Sequence, residues 1–309
     1  MSLSPLFVIV GPTATGKTAA SIKVARQLNG EIISADSMQI YRGIDIGAAK
    51  PSLEERQGIP HYMIDIIDPD EQYSVALFRE AAEKHILDIF SRGKIPLMVG
   101  GTGLYVRAVI DQYSFTQTGI DTELRTRLHK MAEFEGAPAV HRLLEEVDPR
   151  TAARLHPNNL KRVIRAIEVY YNTGKPISKL QAEDRLKPDK YNLFMFGLKM
   201  NREDLYLRIE KRVDKMIADG LVEEVSNLLE NGCSPDLTSM QGLGYKEIVP
   251  YLKGKITLAE AIFTLKRNTR RYAKRQITWF GHDPRVFWLD IASISDPAEE
   301  IIKCVEGVY

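Results

Sequence analysis

The sequence predicts an α/β protein: a parallel sheet with a phosphate-binding loop at its head and an all-helical insertion in its middle. Three observations carry this. Short apolar runs alternate with stretches of helical period through the first hundred residues; Gly11-Pro12-Thr13-Ala14-Thr15-Gly16-Lys17-Thr18 stands between the first such run and the first such stretch; and from about residue 116 helical patterns replace the alternation.

Residues 6–10 are continuously apolar up to Gly11, and 31–34, 61–66 and 95–99 are similar short runs. Unbroken rather than alternating apolar character marks strands buried on both faces, as in a parallel sheet. The stretches 17–28 and 74–92 carry helical period, which gives βαβ units and a doubly wound core. Helical runs at 121–135, 138–147 and 158–172 contain no convincing strand, so 116–190 reads as an insertion dividing a core of 1–115 and 191–309. A strand at 193–198 returns the chain to that core. A long helix through Leu229 follows, then the Gly-rich segment Gln241-Gly242-Leu243-Gly244-Tyr245-Lys246. Thr257-Leu258-Ala259-Glu260 is a capping box that opens a helix to about Phe280, with Leu258, Ile262, Leu265, Tyr272 and Trp279 at helical spacing.

Composition narrows the function class. Two cysteines, Cys233 and Cys304, lie far apart in the sequence and provide neither a zinc ribbon nor a disulfide framework. No basic leader or cleavage pattern precedes the first strand, and every apolar run is interrupted by charge well short of the roughly 20 residues a bilayer span needs. The expectation is a cytoplasmic protein with no membrane association. A net charge of +1 says nothing about nucleic acid, which is recognised by local patches.

The loop from Gly11 to Thr18 has the spacing of a phosphate cradle in the required context, after a strand and before a helix. Backbone N–H groups and the helix N-terminus face a phosphate, Lys17 neutralises its charge, and Thr18 can offer a hydroxyl to Mg²⁺. This makes the core P-loop nucleoside-triphosphatase-like. The loop selects a diphosphate or triphosphate without naming ATP. ATP hydrolases place an acidic residue at the end of a later strand, whereas the run 95–99 ends in Gly100-Gly101-Thr102-Gly103, which leaves room for a diphosphate that is a leaving group.

Asp36 follows the second predicted strand and belongs at the same carboxyl edge of the sheet. Three roles are open to it: general base, metal ligand or cap of the turn. Thr102, in a Gly-rich turn after another strand, is expected to face the same crevice and hydrogen-bond a substrate. On the helix from 158, Lys161, Arg162 and Arg165 lie outside an apolar stripe that includes Leu160, Val163, Ile164, Ile167 and Tyr171. The last long helix carries Lys266, Arg267, Arg270, Arg271, Lys274 and Arg275, with no acidic residue between Ala261 and His282. Two basic faces beside a phosphate loop make nucleic acid a serious candidate partner.

These motifs, with Asp36-Ser37-Met38-Gln39-Ile40-Tyr41-Arg42, Gly100-Gly101-Thr102-Gly103-Leu104-Tyr105, the Gly-rich segment at 241–246 and Thr269-Arg270-Arg271-Tyr272-Ala273-Lys274-Arg275-Gln276, resemble the tRNA dimethylallyltransferase family over nearly the whole chain. The resemblance implies transfer of a dimethylallyl group from dimethylallyl diphosphate to the N6 amine of the adenosine 3′ of the anticodon. It implies that the loop residues Gly11, Pro12, Thr13, Ala14, Thr15, Gly16, Lys17 and Thr18 hold the diphosphate, that Asp36 removes a proton from the amine, and that Thr102 contacts the reacting region. Mg²⁺ is the implied ion, with Thr18 its ligand. Contacts to the anticodon stem-loop of tRNA are implied for Asp36, Ser37, Met38, Gln39 and Thr102, for Arg125 (or Arg127), for Lys161, Arg162, Val163, Ile164 and Arg165, and for Gln241, Gly242, Gly244, Tyr245 and Lys246. No stable protein partner is implied. Thr15 replaces a more usual Ser and Ala48 a common Thr; neither carries the chemistry. The chain ends at Tyr309 without the zinc finger of longer eukaryotic relatives, so a bacterial-type enzyme is expected.

Two other classes use the same features. A small-molecule kinase would share the loop and core and would consume ATP; a non-catalytic RNA-binding nucleotide switch would use the basic faces and form no product.

Overall fold

Alternate residues of the first strand enter two different cores, which is why it reads as an unbroken apolar run. In β1 (Ser4–Val10), Leu6, Val8 and Val10 join one cluster while Phe7 and Ile9 join another, all fully buried. The molecule, a computed structural model, is described over residues 3–111, 121–184 and 186–305. After β1 come α1 (Lys17–Gln27), β2 (Gly30–Ser34), the short α2 (Leu53–Arg56), β3 (His61–Tyr62), α3 (Val75–Ser91), β4 (Ile95–Val99) and α4 (Gly103–Ile110). Then follow α5 (Thr122–Glu135), α6 (Ala137–Val147), the short α7 (Pro149–Ala152), α8 (Leu160–Thr173) and α9 (Ile177–Asp184). The chain closes with β5 (Tyr191–Lys199), α10 (Arg202–Ala218), α11 (Leu221–Glu230), α12 (Tyr245–Leu252), α13 (Leu258–Gly281), β6 (Val286–Asp290) and α14 (Pro297–Val305).

Two units result: Met1–Ile110 with Lys190–Tyr309, and Asp111–Asp189. The expected boundary at 115–116 lies outside the described residues. In the first unit the six strands form one parallel sheet of order β3-β2-β4-β1-β5-β6, with Phe7 of β1 level with Leu97 of β4 and Phe194 of β5. Phe78, Ile86 and Val106 of α3 and α4 cover one face; Val24, Ala25, Ile301 and Val305 of α1 and α14 cover the other. A third cluster, including Val213, Leu221, Tyr245, Ile248 and Leu265, joins α10 to α13. The second unit has its own core, in which Leu124 and Leu128 meet Val140, Leu144, Val163, Ile164 and Ile167.

The α/β class and parallel sheet are as the sequence predicts, and α13 begins with the capping box read at Thr257 and Glu260. Three expectations change. The run 61–66 is a strand only at His61–Tyr62, because Met63 and Asp65 adopt left-handed backbone (φ 64 and 57) that no ladder accepts. The long helix expected through Leu229 is two helices, broken at Gly220, whose φ of 102 lies outside helical space. Strand β6 and helix α14 complete the sheet and its cover without having been read from the sequence. Among the described residues no helix is long and apolar enough to cross a membrane.

Candidate active site

The phosphate loop forms where β1 stops. Gly11 has φ 138, and a Cβ there would stand 2.5 Å from the Leu198 carbonyl oxygen of β5, so the chain leaves the sheet only through glycine. Ala14 and Gly16 are both left-handed, the alternation that turns successive amides inward. Thr15 Oγ1 and Lys17 Nζ both donate to the Pro12 carbonyl, at 2.9 and 2.7 Å. Helix α1 starts with no side-chain cap and no acidic residue in its first turn, so its amide end is available to an anion.

A second wall comes from the ends of β2 and β4. Ala35 N donates to Val99 O at 2.7 Å and Thr102 N to Ala35 O at 3.1 Å, which fixes the point where Asp36 leaves the sheet. Asp36 Oδ1 accepts from Met38 N at 2.9 Å, the only hydrogen bond to this carboxylate among the described residues. As read from the sequence, β4 ends in glycines rather than in a carboxylate.

Helices α10 and α13 close the site with residues the sequence reading did not assign. Gln276, only 5% exposed, accepts from Thr13 N at 2.9 Å and donates to Gly101 O at 3.0 Å, tying the phosphate loop to the turn after β4. Tyr272 lines the same cavity, and burial together with the nearby Asp36 charge holds its phenol protonated. Arg212 of α10 lines the same cavity. Burial, then the Arg212 guanidinium, lower Lys17 from 10.5 to about 7, against the Asp36 carboxylate, which raises it. Arg212 is itself lowered by burial and supported by Asp36. Two cations crowd one carboxylate, and a diphosphate would be attracted to both cations.

The cavity so enclosed has a volume of about 290 Å³. Its lining is mixed: Lys17, Thr18, Asp36, Arg212 and Gln276 are among its polar residues, and Ile32, Met38, Val213, Met216, Leu243 and Leu265 among its apolar ones. One wall, Gly47 to Ala49, is braced from behind. Glu224 accepts from the amides of Asp45, Ile46 and Gly47 at 3.2, 2.8 and 3.3 Å, and from the Tyr245 hydroxyl at 2.5 Å.

The expected site residues divide accordingly. Ser37, Met38, Gln39, Gln241 and Gly242 line the cavity with Asp36, Lys17 and Thr18. Thr102 stands beside the cavity lining, part-exposed, and its hydroxyl accepts from Ser37 N at 3.0 Å, which braces the turn that carries Asp36. Gly244 and Tyr245 are buried, Tyr245 as the partner of Glu224, whereas Lys246 is exposed. In the helical unit Val163 and Ile164 are core residues, 0% and 3% exposed, because they occupy the apolar stripe of α8. The side chains of 161–165 that reach the surface are Lys161, Arg162 and, in part, Arg165, and Arg125 of α5 is part-exposed as well.

The residues suit Mg²⁺ in one specific way. Among the described residues no three His, Cys, Asp or Glu side chains form a metal site, but the Thr18 hydroxyl and the Asp36 carboxylate border the phosphate loop. Mg²⁺ is commonly held by one or two protein oxygens together with substrate phosphates, and this donor set fits that habit.

A family model described as IPP transferase matches residues 39–283, and one described as isopentenyl transferase matches 4–68. The tRNA dimethylallyltransferase of Pelotomaculum thermopropionicum is 56% identical over 98% of this chain and 97% of its own, and that of Desulforudis audaxviator is 53% identical over 98% of each. The tRNA isopentenylpyrophosphate transferase of Bacillus halodurans superposes with TM-score 0.73 at 46% identity, covering 99% of this chain and 95% of that one. A eukaryotic dimethylallyltransferase acting on tRNA superposes with TM-score 0.82 at 32% identity, covering 97% and 78%. With its phosphate loop, its glycine-ended β4 and this likeness along its full length, the chain belongs to the tRNA dimethylallyltransferase family.

Proposed function

We propose that the chain transfers the dimethylallyl group from dimethylallyl diphosphate to the N6 amine of the adenosine 3′ of the anticodon (position 37) of tRNA, in the cytoplasm, and releases diphosphate. The observation that carries this reading is the meeting of a phosphate loop, two cations and one carboxylate in a cavity lined also by apolar side chains, Ile32, Val213, Met216 and Leu265 among them. An anion, an amine proton and a five-carbon tail each find a complementary surface there.

In the proposed step the N6 nitrogen attacks the first carbon of the dimethylallyl group. The N–C bond forms as the C–O bond breaks, the bonding pair leaves on diphosphate, and Asp36 takes the amine proton. The loop amides, Lys17 and Arg212 stabilise the charge that grows on the leaving group, at a place where they are already oriented. Thr18 would hold Mg²⁺ beside the phosphate loop, and the ion would supply further neutralisation of that charge. An adenine stacked in an anticodon loop must be extruded to reach Asp36, at a cost of roughly a few kcal/mol. Contacts of Ser37 to Gln39, Gln241 and Lys246 in one unit, and of Arg125, Lys161, Arg162 and Arg165 in the other, would offset that cost.

Labelled dimethylallyl diphosphate, tRNA and Mg²⁺ incubated with the protein should yield label on the adenosine next to the anticodon. ATP turnover without transfer would identify a kinase instead, and RNA binding without product a non-catalytic switch.

Lys161 and Arg162 are exposed, and Arg165 is part-exposed on the same face of α8. Replacing all three with Ala should weaken binding of every tRNA to a similar degree. It should also flatten the dependence of log affinity on log salt, by roughly 0.7–0.9 for each phosphate that is no longer neutralised. Titration at two salt concentrations checks this, and curves matching the unaltered protein would make the face a merely solvated one.

A further inference from the structure

Glu168 is the most deeply buried carboxylate of the helical unit, 0% exposed on α8, yet everything it holds leads to the surface. Its Oε1 accepts from Arg125 Nε at 2.8 Å and from the Asp121 amide at 3.0 Å; its Oε2 accepts from Arg125 Nη2 at 2.8 Å and from Arg165 Nη1 at 2.6 Å. Arg125 and Arg165 keep 34% and 39% of their side chains exposed. One oxygen pair thus fixes two guanidiniums and the residue that caps α5, whose own side chain accepts from Leu124 N at 2.9 Å. Burial alone would raise the Glu168 carboxyl; the hydrogen bonds from Arg125 and Arg165 hold it below its ordinary value, so it remains an anion.

A buried carboxylate with two cations is a poor device for stability alone, since desolvation cancels most of the attraction. It is a good device for immobilising long side chains. Neither guanidinium spends all five donors on Glu168, and Arg165 continues the line of Lys161 and Arg162 on α8.

We infer that Glu168 is a positioning residue for RNA: it holds Arg125 and Arg165 at a fixed spacing so that their remaining donors meet the phosphodiester backbone of a folded RNA without being ordered at the moment of binding. This rests on the reading that Arg125 and Arg165 contact tRNA. Immobilising a rotamer-rich side chain on binding carries a real cost, which for two such chains corresponds to roughly a 5- to 150-fold change in affinity.

The test uses the full chain, an unmodified substrate tRNA and an unrelated RNA hairpin. In Glu168→Gln the shape is kept and the charge is removed. Affinity for the tRNA should fall roughly 5- to 150-fold, while donor KM and the single-turnover rate at saturating tRNA stay unchanged. The salt dependence should become steeper, because one anion has left a basic surface. Simple loss of structure would flatten it. A folded Glu168→Gln protein that binds tRNA as well as or better than the unaltered one overturns the inference, because it makes Glu168 only a drag on the cationic face. If that variant does not fold, Glu168→Asp, which keeps the charge but shortens its reach, decides: weakened binding with unchanged donor KM supports positioning, and unaltered binding ends it. The double replacement of Arg125 and Arg165 by Ala tests the underlying reading. Unchanged tRNA affinity there removes the RNA contact itself, and the inference falls with it; reduced affinity there beside a normal Glu168→Gln removes only the positioning role.

Discussion

Replacing Asp36 with Asn should slow single-turnover transfer by about 10²–10⁴-fold, the usual contribution of a general base. An aromatic exocyclic amine is a poor nucleophile because its lone pair is delocalised into the ring, and the positive charge that grows on it during attack must be relieved. Asp36 stands where β2 leaves the sheet, beside Lys17 and Arg212 in the cavity lining. Its Oδ1 is engaged by the Met38 amide at 2.9 Å, a bond that the Asn oxygen can accept equally well. The variant therefore keeps the turn and loses the proton acceptor. If Asp36 only capped the turn, the rate would be retained and about 1 kcal/mol or less of stability lost. If it were chiefly a Mg²⁺ ligand, activity and metal affinity would fall together and added Mg²⁺ would restore part of the rate. Single-turnover rate, Mg²⁺ dependence and melting temperature measured on one variant separate the three, and a near-normal rate would end the general-base assignment.

The parts of this site that were legible in the sequence are those made locally. The phosphate loop needs its glycines, lysine and threonine at fixed spacing between a strand and a helix, and Asp36 needs only the end of a strand; both arrangements follow from short-range rules. Arg212 could not be found this way. It sits among Lys211, Asp214 and Lys215 on an amphipathic helix, and only its place in the cavity lining with Lys17 and Asp36 distinguishes it from charged neighbours on the same helix. Gln276 reads as one polar residue in a basic helix until folding sets it against the Thr13 amide, 263 residues away. Thr102 and Tyr245 have partners that only the fold supplies: the Thr102 hydroxyl accepts from Ser37 N, and the Tyr245 hydroxyl donates to Glu224. The shortened β3 and the break at Gly220 share a cause: left-handed backbone at single positions interrupts a period that the flanking residues otherwise sustain.

Lys17→Ala should lower donor affinity and the rate of transfer together, the rate by about 10²–10³-fold, the usual cost of removing one preorganised group from a developing anion. Its affinity for tRNA should hardly change, because Lys17 faces the phosphate loop, where its ammonium donates to Pro12 O at 2.7 Å. A second signature is the pH dependence. Burial and Arg212 bring Lys17 down to about 7, so above that pH the amine is largely neutral before the donor binds, and the diphosphate must draw a proton onto it. Donor binding above pH 7 should therefore take up a proton and weaken, by up to about tenfold per pH unit while the bound amine stays charged. Calorimetry in buffers of different ionisation enthalpy reads the uptake directly, and Lys17→Ala should abolish it while Arg212 still supports residual binding. Stability follows with the opposite sign from an ordinary ion pair. Below pH 7 the amine is charged in both folded and unfolded chains, so the penalty for burying it is fully present; it is relieved as pH rises from about 7 toward the ordinary 10.5. Without donor, Lys17→Ala should consequently melt no lower than the unaltered protein at pH 6, and its advantage should shrink between pH 7 and 10. A variant that lost activity because it lost its fold would melt lower at every pH, and one with normal donor affinity would remove Lys17 from the leaving-group site.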